Sequence, residues 1–511
     1  MKKCLALCLL LLVSLPAIAR AGSSAALFPA YDENTEKWGY IDPSGQWAIA
    51  PQFETAGLFR GNYAAVSTGD PWEYTMGIID ASGAWVVEPH YFVDEGYDGW
   101  TYGGLNEGMY LIWDRRADDE NRESPHYGFF DVPSGFFSGI VFQDEFKWWT
   151  QEKLVPIGDA FYDRTNGQMA IALPEGYYTD WCGNSSVFHH GFAPILKETP
   201  LGEEDAACFV DTQGNIVELP DLQFTMEDWA CGLLCAREKE AQADDPPVLG
   251  YFVLNAMDWR IASYTEPDGL KCRFREVYPF SESGYACVRL ENGNLGHIDT
   301  QGNVLFSNGR VTWISKYGVE TRPITQPYQF YGEYAWIEEA NVLIDPAGEM
   351  ALEIPEGWSP YLQEDDEMED TKRYYASAGG VIELRRPVSG GYQTGLMNME
   401  GQWLMDPEIY GRNWDDGFPE AHRFFSEGLQ AVIKIVGIKE WRTVHNVKTG
   451  DYQEPVYETK VGYVNERGEV AVDFMYDSGG VFLNGLAMVS SGNEVGYINT
   501  SGEKVFFWSM K

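Results

Sequence analysis

Basic residues are scarce: 36 Lys and Arg stand against 78 Asp and Glu, a formal charge of −42. A field of that sign repels phosphate backbones and anionic headgroups, which argues against nucleic acid and stable membrane insertion. Histidine is rarer still, at seven. The one adjacent pair, His189-His190, has no Glu or third His at the spacing of a metal-binding helix. Also missing are Gly-x-Ser-x-Gly, the P-loop, Gly-x-Gly-x-x-Gly in a βαβ setting and the D-x-D-x-D-G calcium loop. No catalytic residue, cofactor or metal is therefore expected. No segment sustains a 3.6-residue apolar period, so a helical framework is excluded.

Long apolar runs are confined to the start. Lys2 and Lys3, an apolar stretch from Cys4 to Leu15 and the small-residue site Ala19-Arg20-Ala21 make Met1 to Ala21 a signal peptide, too short for the ~20 residues of a spanning helix. Cleavage near Ala21 implies a secreted or envelope-associated protein. It removes three basic residues and no acidic one, taking the charge to −45. Six cysteines then remain, Cys182, Cys208, Cys231, Cys235, Cys272 and Cys287. That even number permits disulfides and equally permits buried thiols. The spacing of Cys231 and Cys235 does not suit zinc.

What the chain does contain is one pattern, many times over: Gly, two apolar residues, Asp or Asn, two variable residues, Gly. It reads Trp38-Gly39-Tyr-Ile-Asp42…Gly45, Gly77-Ile-Ile-Asp80…Gly83 and, with one extra residue, Gly128-Phe-Phe-Asp131…Gly135. It returns at Gly296…Asp299…Gly302, Gly395…Asn398…Gly401, Gly462…Asn465…Gly468 and Gly496…Asn499…Gly502. Eroded copies lie at Asp163…Gly167, Asp211…Gly214 and Asp345…Gly348, and a faint one around Gly250 to Asn255. The array has about eleven units. Asp or Asn suits the start of a tight turn and Gly its αL position, so φ > 0 is expected at Gly45, Gly83, Gly302 and Gly468. After each turn comes period-2 alternation. It predicts buried Trp47, Ile49 and Phe53, with Trp85, Val87 and Tyr91, and Val470, Val472 and Phe474 likewise, against exposed Gln46, Gln52, Glu88 and Glu469. Upstream of most copies lies an aromatic anchor, a turn and a short strand, as in Phe425-Ser-Glu-Gly-Leu-Gln-Ala-Val432.

With Trp38-Gly39 heading the first copy and the strand end Pro51-Gln-Phe53, repeated in kind as Pro89/Tyr91 and Pro407/Ile409, the chain resembles the Trp-Gly (WG) β-repeat family of bacterial proteins. It departs at the tryptophan, replaced by Met76, Tyr127, Leu295, Thr394, Val461 and Val495. The resemblance implies an exported repeat scaffold without implying a reaction. The residues themselves predict an all-β fold of tandem antiparallel three- to four-stranded repeats over 22–511. The arrangement expected is a propeller-like open spiral, with two closed propellers as the alternative. The charged, proline-bearing stretch 238–247 is either a linker dividing the array or a surface loop.

The regular Asp residues are claimed by turns and the regular aromatics by packing. Acidic pairs such as Asp118-Asp119 follow from composition, although two carboxylates across a cleft would suit a glycoside-active enzyme. Aromatics in irregular segments, Trp72, Trp148 and Trp149, remain as anchors for an unknown protein or glycan partner. The candidate binding loops are Asp114–Ser124, Lys147–Gln151, Glu364–Asp370 and Lys439–Lys460, the last read as an extended hairpin. The expected function is a non-enzymatic binding scaffold, with a glycoside-active enzyme and a purely structural envelope component as the alternatives.

Overall fold

A computed structural model describes residues 26–70, 73, 75–94, 108–114, 126–142, 153–179, 186–200, 206–225, 229–239, 247–265, 270–281, 283–360, 362–365, 368–374, 380–388, 391–412, 425–445 and 451–509. Every named element is a β-strand, and no sheet closes on itself. A unit is built from up to four antiparallel strands in chain order, as in Thr55–Ala56, Tyr63–Ser67, Met76–Asp80 and Trp85–Asp94. Trp85–Asp94 runs on into the third unit, where Val93 pairs with Ile112. Two units thereby share a seven-stranded sheet, and three two-stranded sheets are insertions between or within units. Eleven units result among the described residues. The faint copy is a full member, with third strand Leu249–Val253. The sides of the 238–247 stretch are held in one sheet: Arg237 pairs with Leu249, and Glu238 N donates to Val248 O at 2.9 Å.

Each residue of the repeat pattern has a separate physical task. The leading Gly lies under the fourth strand, whose bulge carries a carbonyl over it. A Cβ on Gly77 would sit 2.3 Å from Val87 O, and on Gly296 2.1 Å from Phe306 O. No other residue fits there. The Asp closes an Asx turn: Asp42 Oδ1 accepts from Ser44 N (2.8 Å) and Gln46 N (3.1 Å), while Gly45 N donates to Asp42 O (2.9 Å). Gly45, Gly83, Gly302 and Gly468 have φ of 82, 82, 86 and 76°, as the turn requires. Asp131 alone of these carboxylates is fully buried, paired with Arg164 of the next unit, whose Nη2 also donates to Gly108 O at 2.9 Å.

The two apolar residues point in opposite directions. Tyr40 enters the core shared with the second unit, and Ile41 the core shared with the eleventh. The same division holds for Ile78 and Ile79, Phe129 and Phe130, Tyr251 and Phe252, and Tyr463 and Val464. The hydrophobic core is thus a series of eleven inter-unit clusters, each joining one unit to the next. The last joins the end of the chain to its beginning. Phe28, Ala30 and Ile41 pack with Leu486, Tyr497 and Trp508, and Trp38 meets Trp508 edge-on at 5.8 Å. The propeller-like path of open sheets therefore returns to its start, which nothing in the sequence foretold.

A tyrosine hydroxyl fastens several of these seams by donating to a carbonyl of the following unit. The bonds are Tyr40 to Gly57 O (2.9 Å), Tyr251 to Tyr278 O (2.7 Å), Tyr463 to Gly480 O (2.8 Å) and Tyr497 to Pro29 O (2.9 Å). In the seventh unit His297 takes this place. Its Nε2 donates to Pro346 O (2.7 Å), leaving Nδ1 to accept from Tyr328 Oη (2.9 Å). Burial holds its pKa below the ordinary histidine value.

One expectation needs correction, and one open choice is resolved. Trp47 and Val470, at the start of fourth strands, are 36% and 46% exposed, because the fourth strand is an edge covered only from its middle onward. Ile49, Phe53, Val87 and Val472 are buried, Trp85, Tyr91 and Phe474 half-buried, and Gln46, Gln52, Glu88 and Glu469 exposed. The choice between bridges and thiols falls to thiols for Cys208, Cys231, Cys235, Cys272 and Cys287, while Cys182 lies outside the described residues. Burial pushes the Cys208 and Cys287 thiols up to about 12, which leaves them unreactive.

Candidate interaction surface

Antiparallel alternation sorts the connections to two ends of each sheet. Turns between first and second strands share one end with the Asp-x-x-Gly turns. Turns between second and third strands share the other with the links from unit to unit. The units face the same way, because turn glycines abut the fourth strand of the preceding unit. Gly83 faces Ile49, Gly302 faces Ile261, Gly502 faces Val472 and, across the closure, Gly45 faces Val505. The two ends of the sheets thus become two faces of the molecule.

The face with the unit-to-unit links carries two projecting hairpins. One inserts between the seventh and eighth units, as strands Arg310–Ser315 and Gly318–Pro323. Its inward face buries Val311 and Trp313 among Phe306, Ile324 and Phe330. A bond from Ile324 N to Gly309 O (2.8 Å) closes its base, and Ser315 Oγ donates to Glu320 Oε1 (2.7 Å) near its tip. The outward face and turn present Ile314, Tyr317 and Val319 at 79, 82 and 74% exposure, the largest values for big apolar side chains among the described residues. Lys316 Nζ sits 5.0 Å over the Tyr317 ring, and Arg310 and Arg322 flank the strands, so this finger is locally basic on an acidic chain. Sequence reasoning missed it. The signal was the alternation Val311, Trp313, Ser315 against Thr312 and Ile314, hidden inside the long spacing from Gly302 to Gly348.

The second hairpin is the one expected over Lys439–Lys460. Strands Leu429–Val444 and Tyr452–Asn465 are the second and third strands of the tenth unit, lengthened far beyond their counterparts. Of the other expected loops, Glu364–Asp370 falls on the short strands Leu362–Asp365 and Met368–Tyr374, at the opposite face. Asp114 ends the described part of Asp114–Ser124. Lys147–Gln151, with Trp148 and Trp149, and Trp72 lie outside the described residues. His189 and His190 are exposed in a tight turn, with His190 at φ 51°. Among the described residues no three His, Cys, Asp or Glu side chains gather as metal ligands, and no helix is long and apolar enough to cross a membrane.

This architecture defines an all-β tandem-repeat protein, its units joined side to side around a closed path. The model of the WG-containing repeat family matches three segments of the chain, residues 38–72, 270–293 and 462–494. Among curated proteins none matches. Solved structures with weak similarity include apo AztD from Citrobacter koseri, at 9% identity over 74% of this chain and 91% of that one, TM-score 0.23. Another is the dihydro-heme d1 dehydrogenase NirN in complex with DHE, at 10% identity over 70% and 72%, TM-score 0.22. A third is the V. cholerae biofilm matrix protein Bap1, at 9% identity over 79% and 72%, TM-score 0.16.

Proposed function

We propose that this repeat scaffold is exported and non-enzymatic, and that it presents the hairpin-bearing face to a protein or glycan partner at the cell envelope or outside it. The observation that carries this reading is the finger of residues 310–323, whose exposed apolar tip stands on a base locked into the core. Exposed apolar side chains on a backbone fixed at its base are what a binding anchor requires, since little backbone freedom is then lost on docking. The repeat residues are committed elsewhere: Gly to close backbone passage, Asp and Asn to turns, and the apolar pair to inter-unit cores.

The test substitutes Ile314, Tyr317 and Val319 by Ser together. Deleting the finger would remove Val311 and Trp313 from the core, so the triple substitution is the cleaner change. Circular dichroism should be unchanged, while retention on envelope glycans or envelope protein extracts falls at least tenfold. No turnover is expected on glycan or peptide panels. A turnover lost on changing one carboxylate to its amide would overturn the proposal. Export is checked by N-terminal sequencing of protein recovered outside the cytoplasm, with Gly22 expected first.

A further inference from the structure

The long hairpin of the tenth unit is out of keeping with the body that carries it. Near its base it belongs to a four-stranded sheet. Tyr410–Arg412 pairs on one side as far as Lys434, and Val470–Tyr476 on the other as far as Val461. Lys434 lies over the rings of Tyr410 and Phe474, at 5.4 and 5.5 Å. Beyond Ile435 and Thr459 only two strands continue, in register to Val444 opposite Tyr452. At roughly 3.3 Å per residue along the unbulged strand, the ribbon stands about 23 Å clear of the sheet. A two-stranded ribbon is marginal in water without a third strand or a packed face.

One face of the ribbon is apolar. Cross-strand partners share a face, which places the pair Ile438 and Tyr457 beside the pair Trp441 and Pro455. Two bulges, between Ile435 and Gly437 and between Ile438 and Glu440, keep Ile435, Ile438 and Trp441 on this side. Ile438, Trp441 and Tyr457 are 49, 60 and 50% exposed. Glu440, Arg442 and Glu458 lie on the other face, together with Val456 and Tyr452, which is 39% exposed.

The charge of the ribbon indicates what covers that face. Residues 429–465 hold five basic side chains, Lys434, Lys439, Arg442, Lys448 and Lys460. Against them stand four acidic ones, Glu440, Asp451, Glu454 and Glu458, a net +1. The rest of the chain then carries −43, from the total of −42. Two such bodies repel wherever their acidic surfaces meet, and at the ribbon that repulsion is absent. If two ribbons lie face to face and antiparallel, each tip reaches the base of the other. The acidic bodies are then held about 23 Å apart, nearly three times the ~8 Å screening length at physiological salt.

We propose that the apolar face of this ribbon docks against the same face of a second copy of the chain, forming a two-fold dimer through Ile438, Trp441 and Tyr457. Such a contact is self-complementary, as a two-fold interface must be. A face about 23 Å long and 10 Å wide is small for a stable interface, so the dimer dissociates at concentrations on the order of micromolar. It involves neither the finger nor its ligand, and stands or falls independently of the proposed binding function.

Sedimentation velocity on the full mature chain, from about 1 to 100 µM, tests this. Dimer mass is expected at the upper end, unchanged or strengthened by added salt because apolar contact outlasts screened repulsion. Ile438→Lys with Trp441→Lys should give monomer throughout, with unaltered circular dichroism. A second variant joins Val436 to Glu458 through an Asn-Gly turn, deleting the ribbon while sparing the core, and should also be monomeric. A wild-type monomer at every concentration overturns the proposal. So does a dimer that survives either change, or one that salt dissolves.

Discussion

Glycine in the tight turns of the repeat, the Asp-x-x-Gly turn and the turn between first and second strands alike, answers to two demands that can be separated experimentally. At Gly485 φ is +89° and a Cβ would meet nothing within 4 Å, so Gly485→Ala costs only the left-handed strain, about 1 kcal/mol. At Gly468 φ is +76° and the Cβ would lie 2.3 Å from Leu404 O of the preceding unit, a backbone atom that cannot swing aside. Gly468→Ala should therefore lower the melting temperature several times as far. Equal effects would show that the inter-unit contact is loose. The Asp of the same turn makes a different prediction. The hydroxyls of Ser44 and Ser82 chiefly hold Asp42 and Asp80 below the usual carboxylate pKa. A depressed carboxylate gives stability that is present above its unfolded value, near 4, and lost as pH falls through the folded one. Asn398, Asn465 and Asn499 make the same turn without titrating. Asp80→Asn should thus leave stability at pH 7 nearly unchanged and soften the loss below about pH 4. His297 gives the corresponding test nearer neutrality. Its folded pKa lies below the unfolded value of about 6.5, so stability drops as pH falls under that value. His297→Gln should flatten the melting-temperature slope between pH 7 and 5.

At the scale of the strand and turn, much was legible in advance. Tight turns show directly in sequence, because Asp or Asn and Gly are there for local reasons, and the φ angles follow. The lengthened hairpin of 439–460 was legible from its spacing. The fate of Trp47 was not. Period 2 separates two faces of a strand, but only the neighbouring sheet decides how far along the strand a face is covered. The finger of 310–323 was hidden for a related reason: alternation over six residues looks the same in a repeat strand and in an insertion. The exposed tip is a consequence of packing on one side only. Substitution there should be thermally silent, with Tyr317→Ser moving the melting point by under ~0.5 kcal/mol equivalent. Trp313→Ala, four residues away and buried, should cost about 3–5 kcal/mol. Similar costs at both positions would mean that the tip also packs on the body.

For the whole molecule the decisive feature is the seam between the eleventh unit and the first. An open array frays from terminal repeats and needs polar caps there, whereas here both terminal units have neighbours. Trp508 is buried against Tyr497 and Trp38, and the hydroxyl of Tyr497 reaches Pro29 O. Trp508→Ala should cost about 3–5 kcal/mol. Hydrogen exchange should then quicken first in the strands Phe28–Asp32 and Lys504–Ser509, on either side of the seam. Uniform acceleration throughout would mean that the units unfold together, so that the seam holds no special place. Tyr497→Phe removes only the bond, at about 1 kcal/mol, and should produce the same pattern more faintly.

A molecule whose first and last repeats are neighbours has no structural reason to begin where it does. Bridging residue 509 to residue 26 with a Gly-Ser link long enough to run the height of a strand, about 20 Å, and opening the chain in the turn at Glu338 to Asn341 would relocate both termini. Every inter-unit core would remain. Such a rearranged chain is expected to reach the same fold, with the same circular dichroism and the same exposed finger. Chain order would then be a convention of biosynthesis, and the present seam simply the one joint among eleven that lacks a peptide bond.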